Sequence, residues 1–86
     1  GEATVWTYSL QGSEWSGWIT TPVDTDYRID AEVPVEICFI DDPGCNDTST
    51  VYPESYKQPT WFGIRRGIFK ILSPVDTTVQ VTVEER

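Results

Sequence analysis

The stretch TVQVTVEE, residues 78–85, carries the clearest structural signal in this chain. Apolar and polar side chains alternate along it, and the apolar positions are Val79, Val81 and Val83. Successive side chains of a β-strand point to opposite faces, so this period of two predicts a strand with one face on a core.

The same alternation recurs upstream, in TVWTYSL (4–10), YRIDA (27–31) and VPVEICFID (33–41). The segment FGIRRGIFKIL (62–72) predicts one or two further strands interrupted by glycine. No segment shows a sustained helical stripe, and six prolines and six glycines interrupt the chain at short intervals. We therefore expect one all-β domain, residues 1–86, built as a small antiparallel β-sandwich of jelly-roll or immunoglobulin-like type.

Two connections are predicted to have distinct roles. SPVDTT (73–78) predicts a hairpin between the last two strands, with Pro74 fixing the turn. Residues 41–60 show little periodicity and predict one long loop, in domains where the median connection is ~4–6 residues. Long loops often bind partners, so we expect a contact at or near Tyr52, Tyr56 and the following Trp61.

The segment SEWSGWIT, residues 13–20, sets two tryptophans three positions apart. Trp18 begins the alternating run WITTP and is predicted to lie in the core. Trp15 follows a turn-like Gly-Ser-Glu and is predicted to lie at a rim or an interface. Large aromatic side chains are drawn into cores and interfaces, which favours these roles over an exposed stacking platform for sugar rings.

Charge and composition exclude several classes of function. Fourteen acids against six bases give a net charge of −8, which repels phosphate backbones and anionic lipids. We therefore expect neither a nucleic-acid nor a membrane partner. Histidine is absent, so no serine or cysteine nucleophile has a histidine base. The sequence predicts a protein that is not an enzyme and uses no cofactor.

Cys38 and Cys45 bracket FIDDPG, which contains the turn-forming triplet Asp-Pro-Gly. A reversal of the chain there could bring the two Cα atoms within the ~4.4–6.8 Å that a disulfide requires. The spacing alone leaves a disulfide and two reduced thiols both open.

A metal site is not predicted. Two cysteines without histidine are too few ligands for zinc. Four oxygen-bearing side chains lie close together, but they do not follow the spacing of a calcium loop and their preference for turns explains them: Asp41, Asp42, Asn46 and Asp47.

The predicted segments between about residues 15 and 85 also carry information in their order along the chain. A tryptophan-bearing segment, WSGWITTP (15–22), precedes the Val- and Ile-rich VPVEICFID and a polar loop, and GIFKILSP (67–74) and TTVQVTVEE (77–85) follow. This order resembles that of the small β-sandwich accessory proteins of tailed bacteriophage virions, such as head-decoration and fibre domains. The resemblance implies a part of the virion that binds a capsid or tail subunit, and it suggests a homo-trimer.

These expectations combine into one hypothesis and one alternative. The first is a non-enzymatic virion accessory component that acts through protein–protein contacts, with its interface at Trp15, Tyr52, Tyr56 and Trp61. The alternative is an extracellular carbohydrate-binding or adhesion module that stacks a glycan on exposed Trp and Tyr rings.

Overall fold

The computed structural model describes residues 2–53, 61–63 and 66–86. Its strands, in chain order, are β1 (Ala3–Leu10), β2 (Ile19–Thr20), β3 (Thr25–Ala31), β4 (Val35–Phe39), β5 (Ser49–Val51), β6 (Trp61–Phe62), β7 (Ile68–Leu72) and β8 (Thr77–Glu85). The prediction of an all-β chain is confirmed. Within these ranges there is no helix of the length and hydropathy needed to cross a membrane.

The strands form two four-stranded antiparallel sheets that pack face to face. Sheet A has the order β1-β8-β3-β6, and sheet B has the order β2-β7-β4-β5. The pairs β1·β8, β2·β7, β3·β6 and β4·β5 are nested inside one another, like a single long hairpin that has been rolled up. This nesting is the order of a jelly roll, which decides between the two sandwich types expected from the sequence.

Strand β8 lies at the centre of sheet A, between β1 and β3. Its three valines point into the core as predicted, and Val79 and Val81 are fully buried. Across the strands, Val81 lies opposite Trp6 on one side and Ile29 on the other.

Sheet B closes the core from the opposite side with Ile37, Phe39, Phe69 and Ile71. The ring of Tyr27 from sheet A stacks on that of Phe69, with 4.6 Å between the ring centroids. Aromatic rings bury much area per residue, ~150–250 Å² each, and this compensates for the small size of the domain.

The predicted hairpin at residues 73–78 is wrong, because β7 belongs to sheet B and β8 to sheet A. The connection crosses between the sheets, and hydrogen bonds of its own fix the crossing. The Ser73 hydroxyl donates to the Val75 carbonyl at 2.7 Å, and the Ser13 amide donates to the Ser73 carbonyl at 2.7 Å. The crossing passes so close to Gly12 that a Cβ there would lie 2.8 Å from the Cα of Val75.

The predicted single loop at residues 41–60 is also wrong, because β5 lies within it and pairs with β4. A strand of three residues is too short to show a period of two, and Val51 alone marks its buried face. Of the earlier candidates in this segment, Tyr56 lies outside the described residues.

Candidate functional site: the tryptophan face of sheet B

The outer faces of the two sheets differ in chemistry. The outer face of sheet A is mainly polar, and its members are Thr7, Ser9, Asp26, Asp30, Thr78, Gln80 and Glu84. Its two large apolar side chains, Val5 and Trp61, are separated by Thr82 and Arg28. On sheet B the outward positions of β7 and the residues beside them form what we call the tryptophan face: Trp15, Trp18, Ile40, Ile68 and Leu72, with Lys70 among them. The other outward positions of this sheet are Thr20, Glu36, Cys38 and Thr50.

Trp18 lies on this face and not in the core, so the prediction of a buried Trp18 is wrong. Its side chain is 42% exposed, while the next residue, Ile19, is buried opposite Phe69 of β7. Side chains alternate along a strand, so a core position for Ile19 forces Trp18 outward.

Trp15 reaches the same face from the connection between β1 and β2. The Ser16 amide donates to the carbonyl of Ile71 at 2.9 Å, and the Ile71 amide donates to Ser16 Oγ at 2.9 Å. These bonds extend sheet B by a single bridge between Trp15 and Leu72. Trp15 is half-buried, which agrees with a rim position.

The ammonium group of Lys70 interacts with both indoles. Its Nζ lies 5.2 Å from the ring centroid of Trp15 and 4.8 Å from that of Trp18. A cation over an aromatic face is attracted by the ring quadrupole, with ~0.5–1 kcal/mol at exposed sites. Lys70 therefore contacts both indoles and joins them into one cluster.

The tryptophan face continues into a depression at each end. One, with a volume of about 320 Å³, is lined by Val23, Ile40, Ile68 and their neighbours, and Val23 is 79% exposed. The other, with a volume of about 350 Å³, is lined by residues that include Pro34, Glu36 and Leu72. Both depressions combine apolar residues with polar ones, such as Thr20 in the first and Thr50 in the second.

A disulfide joins Cys38 to Cys45, with 5.3 Å between the Cα atoms, and settles the choice left open by the sequence. Cys38 points to the outer side of β4 but is buried. Cys38 lies opposite Lys70 of the neighbouring strand β7, so the disulfide borders the tryptophan face.

The acidic turn beside the disulfide is held by its own hydrogen bonds. The carboxylate of Asp42 accepts the amide of Asp47 at 2.8 Å and the side-chain amide of Asn46 at 3.1 Å. The Asp47 amide and then Asn46 hold the pKa of Asp42 below its usual value. These bonds are what the turn preference of Asp and Asn predicts. In the described part of the chain, no three Cys, Asp or Glu side chains gather in a metal-binding arrangement.

The interface residues predicted from the sequence do not form one surface. Trp61 lies on the outer side of sheet A, where the Arg28 guanidinium is 5.5 Å from its ring centroid. Trp15 lies on the outer side of sheet B, and Tyr52 directly follows its edge strand β5. Trp15 and Trp61 therefore face away from each other across the sandwich.

Sequence reasoning missed the aliphatic members of the tryptophan face and the role of Lys70. A signal for them was present in GIFKIL, where both alternating sets of positions are largely apolar. Such a strand is typical of a sheet that is covered on both sides. Comparison of the chain with protein-family models, with curated proteins and with solved structures gives no match in any of the three.

Proposed function

We propose that this protein is a non-enzymatic interaction domain that docks on another protein through the tryptophan face of sheet B. We further propose that it serves as an accessory component of a phage virion, where the partner is a capsid or tail subunit.

The observation that carries the docking proposal is the difference between the two outer faces. An antiparallel sheet with one face on the core usually has a polar outer face, and sheet A follows this rule apart from Val5 and Trp61, which are exposed but separated from each other. Sheet B instead presents Trp18 at 42% and Ile40 at 40% exposure, next to Trp15, Ile68 and Leu72. Tryptophan is enriched in protein interfaces and among the residues that dominate binding energy.

The rim of the tryptophan face indicates the chemistry of the partner. Glu14 precedes Trp15, Glu36 lies opposite Leu72, and Asp41 follows Ile40, and all three acids are exposed. The whole chain carries a net charge of −8. A complementary surface has an apolar centre and basic residues around it, because opposite charges at a rim speed association and select the partner.

The virion assignment is supported by the order of sequence features described above and by the fold. Jelly rolls are common in viral capsid proteins, and also in lectins. A fold hosts many functions, so this support is an analogy. A strongly acidic surface also suits a part that must remain soluble before it assembles.

A second candidate is the binding of a glycan, favoured by the exposed indole of Trp18. Aromatic faces suit the C–H side of a sugar ring. However, three other members of the tryptophan face are aliphatic, namely Ile40, Ile68 and Leu72, and Lys70 lies close to the ring centroids of both tryptophans. These features favour a protein partner over a sugar.

The experiment compares two tryptophans that are equally exposed, at 42% each, on opposite faces: Trp18→Ala and Trp61→Ala. Proteins retained by the immobilised wild-type domain from its source would be identified, and the leading one purified for titration. We expect Trp18→Ala to weaken binding by roughly 30-fold, as for an interface hot spot of about 2 kcal/mol. Trp61→Ala should bind as the wild type does, and both variants should unfold within a few degrees of it.

Other outcomes separate the alternatives. Loss of binding in Trp61→Ala alone would move the interface to sheet A and support the sequence-based candidate. A purified partner that is not a virion structural protein would overturn the virion assignment and leave the docking face intact. Quenching of tryptophan fluorescence by a polysaccharide, abolished in Trp18→Ala, would favour the glycan-binding module.

A further inference from the structure

Strand β1 is a long edge strand of sheet A that is paired on one side. It runs for eight residues, Ala3–Leu10, and among the described residues β8 is the one strand that pairs with it. The backbone N–H and C=O groups on its other side are therefore available to another strand. Proteins usually protect such edges, since a free edge is a template for pairing with another chain.

The other three edges, as far as the structure describes them, are protected by their shortness. The edge strands β2, β5 and β6 have two, three and two residues. Prolines also follow closely after β2 and β5, at positions 22 and 53. In contrast, β1 contains no charged residue and no proline. Short edges and prolines are recognised protective devices, and β1 has neither.

The inward side chains of β1 show the effect of the open edge. Trp6 and Tyr8 pack against the core but remain only half-buried, and in the same alternating set Thr4 is exposed while Leu10, at the end of the strand, is buried. Their counterparts on the central strand β8, such as Val81, are fully buried. An added strand at the β1 edge would cover the two aromatic rings.

We propose that β1 pairs antiparallel with β1 of a second copy of this chain, about a two-fold axis, and joins two sheets A into one eight-stranded sheet. Residues directly opposite in such a pair share a face of the sheet. Two registers centred near the middle of β1 place inward residues of one copy opposite inward residues of the other. Either Trp6 lies opposite its own copy, or Thr7 does, which sets Trp6 opposite Tyr8.

The charge distribution makes this edge the place where a second copy meets the least repulsion. Two chains of net charge −8 repel each other over most of their surfaces. Strand β1 itself carries no charged residue. Glu2 precedes it, and Glu84 of β8 lies opposite Ala3. In the two registers Glu2 lies opposite Leu10 or Gly12, so the Glu2 side chains of the two copies do not face each other.

The proposal concerns a surface distinct from the tryptophan face and does not depend on the proposed function. Because the axis is two-fold, it predicts a dimer. The homo-trimer suggested by the resemblance stays a prediction, and the same measurement of mass separates the two.

The test is the solution mass by light scattering over a range of concentrations, for the wild type and two variants. Thr7→Lys places a charge on β1, and Thr50→Lys makes the same change on the exposed outer side of β5. We expect the wild-type mass to approach twice 9.8 kDa as concentration rises. Thr7→Lys should raise the dimer dissociation constant by roughly tenfold or more, since edge lysines oppose strand pairing. Thr50→Lys should leave it unchanged.

A wild-type protein that stays monomeric at millimolar concentration, or forms a trimer, would overturn the proposal. So would a dimer that Thr50→Lys disrupts and Thr7→Lys does not. Hydrogen exchange of the wild type gives a second measurement that needs no variant. Amides of β1 should become more protected as concentration rises, whereas those of β5 should not, and equal behaviour of the two strands contradicts the pairing.

Discussion

Tyr27 connects the two sheets through a single side chain. Its ring is buried and stacks on Phe69, and its hydroxyl donates a hydrogen bond to the Arg66 carbonyl. Burial raises the pKa of Tyr27 far above its usual value, and the nearby positive charge of Arg66 opposes this only in part. The folded state therefore requires the neutral phenol.

Replacing Tyr27 with phenylalanine should have two measurable effects. At neutral pH we expect a loss of about 1 kcal/mol in the free energy of unfolding, because the Arg66 carbonyl loses its donor. In the wild type, the contribution of the neutral phenol is complete below about pH 10, the pKa of an unfolded tyrosine, and is lost as the pH rises above it. Tyr27→Phe should remove much of this alkaline loss. Urea unfolding between pH 7 and 11 measures both effects.

Tyr8→Phe is the matched control, since it removes a hydroxyl from a half-buried tyrosine of the same core. Burial also raises the pKa of Tyr8, so some alkaline dependence should persist in Tyr27→Phe. Identical pH curves for Tyr27→Phe and the wild type would contradict the role assigned to Tyr27.

The position of Trp18 shows where sequence reasoning fails at the residue scale. WITTP alternates in two phases, one with Trp18 and Thr20 inward and the other with Ile19 and Thr21 inward. The first phase buries the larger side chain, Trp18, and is therefore the one that the sequence favours. The structure adopts the second, because Ile19 pairs with Phe69 and the Thr21 hydroxyl donates to the Gly67 carbonyl at 2.8 Å. These partners are 50 and 46 residues away, so a local pattern cannot reveal them.

At the scale of elements, the disulfide constrains the connection between β4 and β5. We expect its reduction to lower the free energy of unfolding by roughly 2–3 kcal/mol, the value for a short closed loop. Urea unfolding with and without a reductant measures this difference. The double variant Cys38→Ala/Cys45→Ala is the control for the reductant and should not respond to it. A wild type that is equally insensitive would show that the bond contributes nothing.

Elements with a clear period of two were predicted well, and those held by specific hydrogen bonds were not. The alternation of Val79, Val81 and Val83 correctly predicted β8 and its buried face. The crossing at residues 73–76 was mistaken for a hairpin, because Pro74 and Asp76 suit either connection. The Asp76 carboxylate in fact accepts the Gly12 amide at 2.8 Å, a contact between distant segments.

For the whole molecule, the sequence narrowed the architecture to a sandwich and could not choose its type. Alternation defines which side of a strand is buried but not which strand lies beside it. The jelly roll pairs the first strand with the last, as in Ala3 opposite Glu84. The tryptophan face depends on the same long-range order, since it combines residues of β7 with residues that precede β2 and follow β4.

The nested order of strand pairs has a consequence for how the chain reaches this structure. The innermost pair, β4·β5, requires the shortest loop to close, and each pair outside it encloses a longer one. Closing a longer loop costs more conformational entropy, so pairing should begin at the centre and proceed outward. The Cys38–Cys45 bond spans this innermost bend.

We therefore expect the oxidised chain to refold roughly 30- to 150-fold faster than the reduced chain, because a stability difference of about 2–3 kcal/mol with little change in the unfolding rate must appear in the refolding rate. Stopped-flow tryptophan fluorescence over a range of urea concentrations measures both rates, with Cys38→Ala/Cys45→Ala as the reference for the reduced chain. If the disulfide slows unfolding and leaves the refolding rate unchanged, the bend between β4 and β5 forms only after the transition state of folding. If refolding is faster, the disulfide fixes the register of the β4–β5 hairpin before the other strands pair. The remaining six strands then add to this hairpin.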